Sequence, residues 1–205
     1  REGRGIEKNA AQAVYWFRKS AESGNADAQL DLGFCCEKGR GVRKDMQKAV
    51  EWYEKSAAQG NLMALNNLGL CYQDGKGVEK NYEKAVELYR KALDIDPDHA
   101  RTLNSYAWLM LTSDDESFHN YPEAVQMAER SVGLDEQGFS LDTLAVAYFK
   151  NGQFDKAVDT QERLIDFRKR RGPNEAVPER MMKRLEEYET KRVEAEDRGS
   201  AGELL

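Results

Sequence analysis

LGFCCEKGRGVRKDMQKAVEWYEKSAAQGN at residues 32–61 is followed by LGLCYQDGKGVEKNYEKAVELYRKAL at residues 68–93, a copy of the first shifted by 36 positions. That step carries Gly39 onto Gly75, Gly41 onto Gly77, Val42 onto Val78, Ala49 onto Ala85 and Lys55 onto Lys91. It also reaches backward to Gly3, Gly5, Ile6, Ala13, Trp16 and Lys19, so GRGIEKNAAQAVYWFRKSAESGN at residues 3–25 is part of an earlier copy. A fixed period in the range of about 20–50 residues marks stacked two-helix units, each too small to bury its apolar face alone.

Within a unit, Ala28, Leu32, Gly33 and Cys36 fall at i, i+4, i+5 and i+8 and define a first helix. Ala64, Leu68, Gly69 and Tyr72 take the same slots in the next copy. Glycine inside a helix costs about 1 kcal/mol relative to alanine, so its recurrence predicts a close approach by the second helix. The connections EKGRGVRKD and QDGKGVEKN supply glycines for positive φ, with Val42 and Val78 returning as apolar plugs. Asp45 and Asn81 are then the expected N-caps of the second helices. Ala49, Tyr53 and Ser56, like Ala85, Tyr89 and Ala92, lie at i, i+4 and i+7 on those helices, and Gly60 with Asn61 turns the chain.

Composition narrows the classes. The 205 residues are 40% hydrophobic and 33% charged with four prolines, too apolar for a disordered chain. No apolar run of about 18 residues is present, so no helical membrane insertion is expected. The net charge of −6 is dispersed, which argues against nucleic acid as the main ligand. Three cysteines, Cys35, Cys36 and Cys71, do not fit a disulfide framework. Cys35 and Cys71 are one repeat apart, roughly 10 Å by helix packing distances. A disulfide needs about 7 Å or less, and reduced core thiols are expected instead. Unpaired thiols favour a cytoplasmic compartment, and a periplasmic one stays open because the sequence starts at Arg1 inside a repeat. That start predicts an upstream helix.

The combination LG-x-x-[YC], G-x-G-V and K-A-x-x-[WL]-Y-x-K resembles the Sel-one-like repeat over residues 1–97, divided as 1–25, 26–61 and 62–97. Beyond it, Leu141, Leu144, Ala145, Tyr148, Gly152, Ala157 and Leu164 resemble a tetratricopeptide repeat. Ala145 and Ala157 are 12 apart, against 16 for Gly33 to Ala49, so the interhelical loop has shortened by four. Leu103, Tyr106, Ala107 and Ala124 place a further such repeat before it, giving two over 98–171, although Ser131 and Gln161 depart from the pattern. The resemblance implies an all-α, right-handed α-α superhelix (solenoid) of helix-turn-helix repeats. Met181, Leu185 and Tyr188 at i, i+4 and i+7 predict a capping helix within 172–195. Residues 196–205 carry no apolar period and are expected to be disordered.

Catalytic, metal and cofactor chemistry is not found. Asp94, Asp96 and Asp98 imitate a calcium loop, but His99 and Ser105 stand where glycine and glutamate belong. The GRG and GKG pairs follow no strand and form no G-x-G-x-x-G, so they are turns rather than phosphate cradles. FRKRRG at 167–172 reads as cations complementing a helix C-terminus. No nucleophile has a base and an orienting partner at recognisable spacing, so no enzyme and no cofactor are expected.

In such solenoids the first helices line the concave groove, and the resemblance places ligand contacts on them. Counting from Gly33, Gly69, Ala107 and Ala145, the next residue is Phe34, Leu70, Trp108 or Val146, and the residue three before is Leu30, Asn66, Asn104 or Asp142. Arg101 and Phe139 occupy outer slots. The apolar row breaks the family's two-carboxylate clamp, so a receptor for chaperone tails is not expected. The expected partner is a protein or peptide segment held by Phe34, Asn66, Leu70, Arg101, Asn104, Trp108, Phe139 and Asp142. The alternatives are packing of the row into the core, and a regulatory repeat segment beside an upstream catalytic domain.

Overall fold

The structure, a computed structural model, describes the backbone at residues 3–172 and 177–202, and side chains at 10–172 and 177–198. It divides into two compact units, residues 1–105 and 106–205. The first holds α1 (Gly3–Glu22), α2 (Ala26–Lys38), α3 (Met46–Ala57), α4 (Leu62–Asp74), α5 (Tyr82–Ile95) and the start of α6 (Ala100–Thr112). The second holds the end of α6, a 3-10 turn (Glu116–Phe118), α7 (Tyr121–Leu134), α8 (Gly138–Lys150), α9 (Phe154–Arg171) and α10 (Glu179–Gly202). Among the described residues there is no strand, and the fold is an all-α array of helix-turn-helix repeats.

Each helix packs chiefly on its neighbours in sequence, α1 on α2, α2 on α3, α3 on α4 and α4 on α5 in the first unit. The repeat period shows up as repeated chemistry. Asn25 and Asn61 cap α2 and α4 by accepting from the amides of Ala28 (2.8 Å) and Ala64 (3.1 Å). Asp45 and Asn81 cap α3 and α5 by accepting from Lys48 (3.0 Å) and Lys84 (2.7 Å). The backbone amides of Asp45 and Asn81 donate in turn to the carbonyls of Cys36 and Tyr72, both at 2.9 Å. Gly41 and Gly77 have φ of 70° and 76°, and a Cβ there would strike the carbonyl oxygens of Ala10 and Met46. These glycines let the loop lie on the preceding second helix. Gly3 and Gly5 take the equivalent slots, yet the backbone is already helical from Gly3.

Gly33 and Gly69 make the predicted close approach. Tyr53 and Tyr89 are fully buried against them, so that a Cβ would lie 2.6 and 2.5 Å from their rings. Tyr53 donates to Glu37 at 2.6 Å and Tyr89 to Gln73 at 2.9 Å, the same bond one repeat on. Burial would raise the Glu37 carboxyl, but the hydrogen bonds from Lys38 and Tyr53 outweigh it and hold the group below the usual carboxylate range. Val42 and Val78 pack on the core as plugs. Cys35, Cys36 and Cys71 are free and buried, and burial pushes the Cys71 thiol up to about 12, too high for a reactive thiolate at neutral pH.

In the second unit, α10 covers the last helix pair. Leu141, Leu164, Ile165 and Met181 form one buried cluster, with Leu185 packed beside it. Tyr188 is buried and stacks on Phe149 at 4.4 Å between centroids. The departure at Gln161 has a reason here: its amide donates to the Met181 carbonyl at 2.9 Å, tying α9 to the cap. α10 runs past residue 196, to Gly202. Lys191 and Arg198 both pair with Glu194 at helical spacing, which supports that extension. Residues 203–205 lie outside the described residues. The long 113–120 connection closes on His119, whose Nε2 donates to the Ser113 carbonyl (2.8 Å), leaving Nδ1 to accept from Tyr121 (3.2 Å).

Candidate peptide-binding surface

On a first helix, the glycine that meets the second helix fixes where its neighbours point. Successive residues are turned by about 100°, so the residue after Gly33 or Gly69 leaves the helix-pair interface. Phe34 and Leu70 are both half-buried, each with part of its side chain open to solvent. Lys38 and Arg40 lie over the Phe34 ring at 5.6 and 5.2 Å, giving that aromatic a basic rim.

The residues three positions earlier behave differently. Leu30 packs on the first unit's core. Asn66 is fully buried, and neither atom of its amide has a hydrogen-bond partner among the described residues. Asn104, half-buried near the start of α6, has a buried Oδ1 that is also without a partner. Buried amides of this kind are uncommon, because each unpaired group costs roughly 1–3 kcal/mol. Arg101, one turn earlier on α6, is exposed. In the first unit, then, the first-helix residues include two apolar side chains with open surface and amide groups with unused bonding capacity.

The second unit holds the remaining candidates. Trp108 and Val146 are half-buried. Asp142, on α8, is bonded by Arg184 of the cap, 42 residues away, so that first-helix slot is met by α10. Phe139 is 45% exposed at the first turn of α8 and shares a pocket with Phe167 of α9. Sequence spacing did not suggest either pairing, and neither carries a periodic signal. The Tyr53–Glu37 and Tyr89–Gln73 bonds were also missed, although Glu37 and Gln73 repeat at the 36-residue step.

Among the described residues, no group of three or more histidine, cysteine, aspartate or glutamate side chains is placed to hold a metal ion. None of the described helices is long and apolar enough to cross a membrane.

Comparison with known proteins agrees with this construction. The Sel1 repeat matches residues 1–25, 26–61 and 62–96, and a tetratricopeptide repeat matches residues 140–171. A Sel1 repeat protein from Oxalobacter formigenes is 30% identical, with a TM-score of 0.60 over 77% of this chain and 65% of its own. The chain thus spans 65% of the length of that protein. A tetratricopeptide repeat protein from Parabacteroides merdae is 18% identical, with a TM-score of 0.61 over 92% of this chain and 68% of its own, a likeness of fold alone. No curated protein matches the chain. Repeats of both kinds are typically non-catalytic and generally act as protein-interaction scaffolds.

Proposed function

We propose that this chain, three Sel1 repeats continued by a tetratricopeptide repeat, is a scaffold that holds a peptide or protein segment on its first-helix face. The observation that carries the reading is the open apolar surface of Phe34 and Leu70 in one slot of successive first helices, with the unused amide capacity of Asn66 and Asn104 beneath. An extended or helical segment brings backbone donors and acceptors that such amides can pair, while its side chains take the apolar slots. Phe34, Leu70 and Asn104 are the contacts assigned in the first unit. Asn66 and the Asn104 Oδ1 are reached only when the side chains covering them move, since both are buried. In the second unit Trp108 is the assigned anchor, because tryptophan is enriched among interface hot spots. Asp142 takes part only if its pair with Arg184 opens.

The test is selection from a random peptide library against the intact chain, followed by titration of the selected peptide. Asn104→Ala and Leu70→Glu should each weaken binding by about tenfold or more, on the scale of an interface contact worth over 1 kcal/mol. Selected peptides that bind both variants as tightly as the original would remove this surface from consideration.

A further inference from the structure

The basic run at 167–172 has a structural setting that charge at a helix C-terminus does not account for. A pocket of about 360 Å³ lies between the last turn of α9 and the first turn of α8, with Phe139, Phe167, Arg168, Lys169, Arg171 and Val177 among its walls. Phe139 is 45% exposed, and Phe167 is half-buried with the Arg171 guanidinium 4.9 Å over its ring. Lys169 lies 3.6 Å from Asp166, an exposed pair of the kind that contributes little. Arg168 is exposed on the same turn. Two aromatic rings and three cations therefore converge on one cavity in a chain whose net charge is −6.

We propose that this pocket binds an acidic peptide segment carrying one aromatic or aliphatic side chain. The apolar side chain lies against Phe139 and Phe167, and flanking carboxylates pair with Arg168, Lys169 and Arg171. Guanidinium–carboxylate pairing is directional and often bidentate, and an arginine stacked on an aromatic ring is already oriented for it. A neutral apolar ligand would leave the cations unused. A nucleic acid is the poorer fit, because the cations sit within about one helical turn, some 5.4 Å of axis, and can meet few phosphates. The acidic balance of the rest of the chain also opposes a long polyanion.

Fluorescence anisotropy on the full chain tests this with a labelled hexapeptide of acidic residues around one phenylalanine. Saturable binding is expected, weakening as salt is raised to about 0.5 M. Phe139→Ala and the double variant Arg168→Glu/Arg171→Glu should each weaken it at least tenfold, with wild-type helicity by circular dichroism. Phe139→Ala, at an exposed position, keeps the test available if charge reversal disturbs α9. Replacing the peptide's phenylalanine with alanine should cost a similar factor. The proposal is overturned if the wild-type chain shows no saturable binding, if folded variants bind like wild type, or if single-stranded DNA of equal charge binds more tightly than the peptide.

Discussion

Replacing Gly33 with alanine should destabilise this protein even though alanine is the better helix former. Gly33 lies inside α2, and propensity alone favours the change by about 1 kcal/mol. A Cβ at that position would lie 2.6 and 2.7 Å from the Tyr53 ring and 3.2 Å from the Ala49 carbonyl oxygen. Tyr53 has no room to step aside, since it is fully buried and its hydroxyl is bonded to Glu37 at 2.6 Å. Overpacking of this kind costs about 1–3 kcal/mol, so the net loss is about 1 kcal/mol. Gly133, near the end of α7, is the matched control, because a Cβ there meets nothing within 4 Å. Gly133→Ala should gain about 0.5 kcal/mol. Thermal unfolding followed by circular dichroism should show a fall of about 2–4 °C for Gly33→Ala and a small rise for Gly133→Ala. If both substitutions raise the midpoint equally, close approach is not what requires glycine at residue 33.

Gly77→Val should lose at least about 1 kcal/mol, because φ is 76° and its Cβ would stand 2.4 Å from the Met46 carbonyl oxygen; an unchanged urea midpoint would remove that explanation. Tyr188→Ala should cost about 3 kcal/mol and expose α10 to limited proteolysis, since Tyr188 is 2% exposed and stacked on Phe149; unchanged cleavage would mean the cap is held by other contacts. His99 titrates below its usual range, chiefly through burial, with Arg101 adding to the effect and Asp96 opposing it. The unfolded chain therefore binds the His99 proton more readily, so this contribution to stability is present above about pH 6.5 and is lost as pH falls through the lower folded value. His99→Gln should flatten that part of the pH–stability profile, and an unaltered profile would assign the acid dependence elsewhere.

The helix pairs were legible in the sequence because they repeat. Gly33, Gly41, Asp45 and Tyr53 each have a partner 36 residues on, and a constraint met twice at the same spacing leaves a visible pattern. What was not legible depends on single, long-range contacts. Gln161 is an anomaly in a helical pattern until the Met181 carbonyl supplies its bond, and Asp142 looks available until Arg184 reaches it. The course of α10 past residue 196 has no apolar period to announce it, because ion pairs on an exposed face leave none. The first-helix candidates were found by alignment, but burial is not encoded in a slot. Leu70 keeps open surface, whereas Asn66 is fully enclosed.

The central claim is that partners are held by the first helices, and hydrogen exchange with a library-selected peptide bound tests it most directly. Slowed exchange is predicted in the first helices of the unit the peptide engages, α2 and α4 in the first unit, with α3 and α5 near their unbound rates. Protection confined to the second helices, or to α10, would contradict the account and place the binding surface on another face of the array.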